Sequence, residues 1–353
     1  MKIKTIIVMS VLLSSALSAY AHSRYYTITD LGTLGGNSST AVAINENGQV
    51  VGRSDTQSGG ENAFLWANGT LSDLGTMGGE SSRALGINDS GQVVGSYNYF
   101  DGFEYQTRAF KWDNGQMTDL GTNGASETIA FSINNQQKIV GHFKPSSNSQ
   151  EQQAIMWEGS ISKELGALDG YSYSYARGIN ESGQAVGSSY NNITEDDHAT
   201  LWDGGTKTDL GTLGGKRSSA WDINNNGQIV GTRETETGAL NAFLWKDGVM
   251  TDLGNLDGGR SYANGINDSG HIIGYSGSSF LSYVAVLWDN YGNMYDLNTR
   301  LSDGSGWNLI YAHDINNHGQ IVGYGSINGE YHGYLLDPTG ITPSPIPTPS
   351  AII

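Results

Sequence analysis

Apolar positions in this 353-residue chain come in short runs, each broken by Gly, Asn, Asp or Ser. Beyond the N-terminus no stretch sustains a 3.6-residue apolar period, so the pattern predicts short strands joined by tight turns. Four such segments make one unit. In the first unit, strand a is Ser39-Thr40-Ala41-Val42-Ala43-Ile44-Asn45 and strand b is Gln49-Val50-Val51-Gly52. Glu46-Asn47-Gly48 supplies turn residues between them, so a and b should form a hairpin. Strand c is Ala63-Phe64-Leu65-Trp66, and a turn with Gly69 leads to strand d, Leu71-Ser72-Asp73-Leu74-Gly75. The Gly-rich Thr76-Met77-Gly78-Gly79 starts the next unit.

The unit recurs. Ile-Asn stands at Ile44, Ile87, Ile133, Ile179, Ile223, Ile266 and Ile315, with steps of 43, 46, 46, 44, 43 and 49 residues. Three residues before each Ile is Ala: Ala41, Ala84, Ala130, Ala176, Ala220, Ala263 and Ala312. Seven residues after each Asn is Gly: Gly52, Gly95, Gly141, Gly187, Gly231, Gly274 and Gly323. Trp66, Trp112, Trp157, Trp202, Trp245 and Trp288 share one position, where the last copy has Leu336. An acid-Leu pair recurs from Asp30-Leu31 to Asp296-Leu297.

Four antiparallel strands per unit at this period predict an all-β fold, a seven-bladed β-propeller over residues 22–337. The chain opens with a lone d strand, Tyr26 to Gly32, and ends with a lone c strand, His332 to Leu336. The first is expected to complete the last blade and close the ring, removing an open sheet edge. Seven alanines suit the crowded centre, so strand a is expected innermost and the tryptophans between blades. The alternative phase places strand c innermost.

Composition adds a compartment. Lys2 and Lys4, an apolar Ile6 to Leu17 and a small-x-small Ala19-Tyr20-Ala21 read as a signal peptide over residues 1–21. The mature chain is then expected outside the cytoplasm, extracellular or periplasmic, with no membrane span. Cys is absent, so burial and sheet hydrogen bonding must hold the fold. The net charge of −17 disfavours nucleic acid as a partner. Residues 338–353 hold five of the six prolines and read as a disordered tail.

The run Asp30 to Gly36 (Asp-Leu-Gly-Thr-Leu-Gly-Gly), repeated at Asp209 to Gly215, precedes Ala-x-x-Ile-Asn-x-x-Gly-Gln-x-Val-Gly and Ala-Phe-Leu-Trp. This order of motifs resembles the HAF family of bacterial extracellular repeat proteins across nearly the whole mature chain. The resemblance implies export and a repeat architecture and no established catalytic activity. The namesake His survives at His198 and His332, with Asn62, Arg108, Gln153 or Asn241 in other copies.

Chemistry has few sequence signals. The Asn-rich turns, such as Asn88 to Gly91, lack the distant bidentate acid a calcium loop needs and read as hairpin turns. The strand-d acids recur too regularly for one active site and should accept the N–H groups of the turn that follows. No zincin His pair, nucleophile elbow or phosphate loop appears, and His313-Asp314 is an isolated dipeptide. Neither catalytic residues nor metal ligands nor a cofactor is assigned. The loop-rich face, which carries the b-to-c connections, collects Tyr97, Tyr99, Phe103, Tyr105, Tyr171, Tyr173, Tyr175 and Tyr190. Rings beside Asn and Asp can stack on sugars, so these eight are the candidate ligand-binding residues. The expected role is a monomeric binding or adhesion module for a polysaccharide or an extracellular protein. The alternatives are a polysaccharide hydrolase or lyase using loop acids among Asp101, Glu104, Glu195, Asp196, Asp197, Glu234 and Glu236, and a purely structural surface protein.

Overall fold

The computed structural model describes residues 25–339 except 122–123, 147–150, 280–281 and 303–304. The signal peptide expected over 1–21 and the tail from 340 onward lie outside the described residues. The fold is all-β. In the first sheet, Gly35–Ile44, Val50–Thr56, Glu61–Ala67 and Thr70–Gly75 pair in chain order, each antiparallel to the next. The same order repeats in the sheets that begin at Ser81–Ile87, Glu127–Ile133, Tyr173–Ile179, Ser218–Ile223 and Arg260–Ile266. The last sheet consists of Asn308–Ile315, Ile321–Ile327, Glu330–Thr339 and, as its outer strand, the N-terminal Tyr25–Asp30. Pairing there runs from Tyr25 opposite Thr339 to Asp30 opposite Tyr334, so the strand continues through Pro338 and Thr339, which composition had placed in the tail.

The repeated residues each answer one packing need. Strand b carries two successive apolar residues because both faces of each sheet are buried, and neighbouring side chains point to opposite faces. Val50 joins a core with Leu335 and Val322 of the last sheet, while Val51 joins one with Ala84 and Val93 of the next. Val93 and Val94 divide in the same way. All seven alanines are wholly buried between sheets. The tryptophans lie in or against these same cores, as Trp157 does with Val94 and Ala109 of the preceding sheet. The strand-b Gly is required by close approach. A Cβ on Gly52 would lie 2.0 Å from the Thr40 carbonyl oxygen, and the corresponding distance at Gly95 is 1.9 Å.

The Asn of Ile-Asn explains the a–b turn. Asn45 Oδ1 accepts the backbone N–H groups of Asn47 and Gln49, at 3.1 and 2.9 Å. Its Nδ2 donates to the Asn88 carbonyl of the next sheet at 2.9 Å. Asn88 donates in turn to Asn134, Asn134 to Asn180, Asn180 to Asn224, Asn224 to Asn267 and Asn267 to Asn316. The seventh bond, from Asn316 Nδ2 to the Asn45 carbonyl, returns to the start at 3.0 Å. A second cycle runs beside it through the residue after each Asn. The Glu46 N–H donates to Asp89, and the series ends with the Asn317 N–H donating to Glu46. The turns are therefore saturated with hydrogen bonds of their own, in keeping with the hairpin reading. Among the described residues no group of three or more His, Asp and Glu side chains could hold a metal ion.

Candidate functional site

The first strands surround a cavity of about 540 Å³. Strand a, not strand c, is therefore the inner strand. The cavity is lined by the residues between the repeated Ala and the repeated Ile-Asn, including Val42, Leu85, Phe131, Arg177, Trp221, Asn264 and His313. These positions differ in every sheet, although the Ala before them and the Ile-Asn that begins two residues on do not. Sequence reasoning looked for variation in the loops and passed over this variation inside the motif.

Arg177 is the unusual cation of the cavity. Its guanidinium lies 4.1 Å from the centre of the Trp221 ring and 5.2 Å from that of Phe131. Its Nε is buried without a hydrogen-bond partner. Burial pulls its pKa below the usual arginine range, an effect opposed by Asp197. Asp197 itself is pushed up to about 6, chiefly by burial. Arg53 and Arg83, which also reach the cavity, are both paired with Glu61, at 3.5 and 2.5 Å.

Two carboxyls sit one residue before the Ile, in the fifth and seventh sheets. Asp222 accepts from the Ile223 and Ile266 N–H groups, and Asp314 from those of Ile315 and Ile44. Burial raises both pKa values; that of Asp314 reaches about 7, with the charge of Asp222 as a second cause. His313 Nδ1–H donates to the Ala41 carbonyl at 2.7 Å, which leaves Nε2 as the acceptor nitrogen. Burial also holds this His below its ordinary pKa, so it is neutral at pH 7. The dipeptide His313-Asp314, isolated in sequence, thus belongs to the cavity wall.

A row of tyrosines leads into the cavity from the sixth and seventh sheets. Tyr262 and Tyr275 face each other across paired strands with ring centres 4.4 Å apart. Tyr275 meets Tyr311 of the next sheet at 4.4 Å, and Tyr311 stacks on its strand partner Tyr324 at 5.0 Å. Tyr275 and Tyr311 line the cavity itself. The available signal was Tyr immediately before the repeated Ala, at Tyr262 and Tyr311, as at Tyr175.

The eight aromatics expected from sequence divide into separate groups. Tyr97 is buried, donates to Asp119 at 2.8 Å and stacks on Tyr99 at 5.9 Å, so it belongs to the core. Phe103 and Tyr105 are exposed, and Tyr105 packs on Phe100. Tyr173 and Tyr190 stack with centres 5.6 Å apart, while Tyr171 lies against His198. Tyr175 approaches Arg177, its ring centre 5.9 Å from the guanidinium, and is the one of the eight nearest the cavity's cation. None of the seven loop acids named above lines the cavity. Asp101 instead accepts the N–H groups of Phe103 and Glu104 within its own turn.

The strand-d acids behave as their regular spacing suggests. Asp30, Asp73, Asp119, Asp209 and Asp252 each accept the N–H of the Gly two residues on. In Asp30, Asp73, Asp209 and Asp252 the second oxygen takes the residue before the strand-c Ala or Gly, whereas that of Asp119 takes the Tyr97 hydroxyl. His198 meets Asp209 at 2.7 Å and His332 meets Asp30 at 2.9 Å, while Asn62 and Asn241 occupy the same place beside Asp73 and Asp252. The surviving histidines are thus turn partners. Asp209→Ala is expected to cost about 1 kcal/mol of stability in urea denaturation and to leave ligand binding unchanged. Unchanged stability with lost binding would reverse that assignment.

No family model and no curated protein sequence matches the chain. Solved structures similar to it include a puromycin hydrolase, with TM-score 0.59 and 12% identity over 90% of this chain and 55% of that one. Another is the acylaminoacyl peptidase of Pyrococcus horikoshii, with TM-score 0.52 and 12% identity over 92% and 53%. YCF48 bound to D1 peptide has TM-score 0.51 and 10% identity over 91% and 97%. The chain spans about half the length of the two enzymes. At these identities the likeness is one of fold: the chain shares its arrangement of four-stranded antiparallel sheets with β-propellers such as YCF48.

Proposed function

We propose that this chain is an exported seven-bladed β-propeller, closed by its N-terminal strand, that binds a saccharide at its central cavity. Closure is supported by the pairing of Tyr25–Asp30 with Glu330–Thr339 and by the Asn hydrogen bonds that return from Asn316 to Asn45. The observation that carries the ligand class is the row Tyr262, Tyr275, Tyr311 and Tyr324. Tyrosine rings offer flat apolar faces for sugar rings and hydroxyls for their oxygens. Asn264 and the acceptor nitrogen of His313 add polar contacts in the same cavity. The geometry favours binding over hydrolysis, because the two cavity carboxyls already accept backbone N–H groups. General acid–base work would need those oxygens free for substrate.

A glycan array with the mature chain, followed by calorimetry, tests this. Tyr311→Ala is expected to weaken the best glycan at least about tenfold. Tyr173→Ala, in the separate stacked pair, is expected to change it little. Loss of binding only in Tyr173→Ala would move the site to the loops, and no bound glycan would remove the saccharide reading.

A further inference from the structure

The charge around the cavity narrows the ligand. The chain carries 35 acidic and 18 basic residues, and most arginines near the centre have carboxylate partners. Glu61 takes both Arg53 and Arg83. Arg177 is different. Among the described residues it makes no ion pair within 4 Å, and its Nε has no hydrogen-bond partner. Asp197 influences it only from beyond pairing distance. Trp221 and Phe131 hold the guanidinium by cation–π contact, which fixes the position of the group while leaving its Nε–H without an acceptor. A desolvated, preorganised fork of this kind matches a planar or tetrahedral oxyanion better than any neutral hydroxyl.

We propose that Arg177 is a specificity residue for an acidic saccharide, its guanidinium receiving a carboxylate or sulfate oxyanion of a sugar whose ring packs on the neighbouring aromatics. Trp221, partly open to solvent, and Tyr175 supply those rings. Asp222 and Asp314 share the cavity, with their oxygens turned to the N–H groups of Ile223, Ile266, Ile315 and Ile44. This inference rests on the saccharide reading above.

Calorimetry with the mature chain would compare three probes: an oligogalacturonate, a sulfated galactan oligosaccharide and a neutral galactan oligosaccharide. At least one acidic probe is expected to bind ten or more times more tightly than the neutral one, with affinity falling as salt rises. Which acidic probe binds better distinguishes carboxylate from sulfate. Arg177→Met should erase the acidic preference, and Arg177→Lys, which keeps the charge without the fork, should retain part of it. Equal binding of acidic and neutral probes by the unaltered chain would overturn this inference while leaving the saccharide reading intact, and that comparison needs no variant to fold. An acidic preference that survives in a folded Arg177→Met would also overturn it. Failure of all three probes would count against the saccharide reading itself.

Discussion

Deleting residues 25–30 from the mature chain is expected to produce a protein that aggregates and melts far below the intact one. Tyr26 is only 1% exposed and packs in one core with Leu297, Leu309, Tyr334 and Leu336. Losing so large a buried side chain costs about 3–5 kcal/mol. The deletion also removes six register pairs and bares the edge of Glu330–Thr339. An exposed strand edge recruits other chains, so the loss appears as association as well as instability. Size-exclusion chromatography and thermal melting should both report it. A synthetic peptide covering residues 22–34, added in trans, is expected to restore the monomer. A truncated chain that stays monomeric with an unchanged melt would mean that the pairing of the two ends carries no weight.

The second large effect is expected at Gly187. A Cβ there would lie 1.8 Å from the Tyr175 carbonyl oxygen and 3.0 Å from the Ala176 Cα. Both are backbone atoms of the strand that walls the cavity, so neither can turn aside as a side-chain end could. Overpacking of this kind typically costs about 1–3 kcal/mol, and fixed backbone atoms place Gly187 at the upper end. Gly187→Ala should therefore lower the urea midpoint steeply. Gly60→Ala is the control: its Cβ would meet the Glu80 carbonyl oxygen at an ordinary 3.6 Å. That change should be neutral or slightly stabilising through the unfolded chain. Similar midpoints for the two variants would contradict close strand approach as the reason for the repeated Gly.

The same contrast explains which parts of the molecule were legible. Ala176, Gly187, Asn180 and Asp209 each meet a local demand that recurs in every sheet: a tight inner contact, a close carbonyl, a capped turn, a Gly N–H to be accepted. A demand that recurs leaves the same letter at a fixed spacing, and spacing is visible without coordinates. Expectations for strand order, the inner strand and the turn role of the strand-d acids followed from it. The candidate site leaves no such trace. Arg177, Trp221, Asn264 and His313 each occur once at their position, and a residue that differs in every copy looks like noise. Among the aromatics, the loop insertions at Tyr97 and Tyr173 stood out in sequence, yet Tyr97 packs inward and the longer tyrosine row formed elsewhere.

What the sequence by itself determined was the repeating four-strand unit, because alternating burial, glycine contacts and asparagine turns are short-range requirements written into each copy. Only the tertiary structure decided which variable residues meet. Tyr275 reaches Tyr311, and Arg177 reaches Phe131 and Trp221, across boundaries between sheets. Those contacts depend on the lateral packing of whole sheets, a relation between segments more than thirty residues apart that no local pattern encodes.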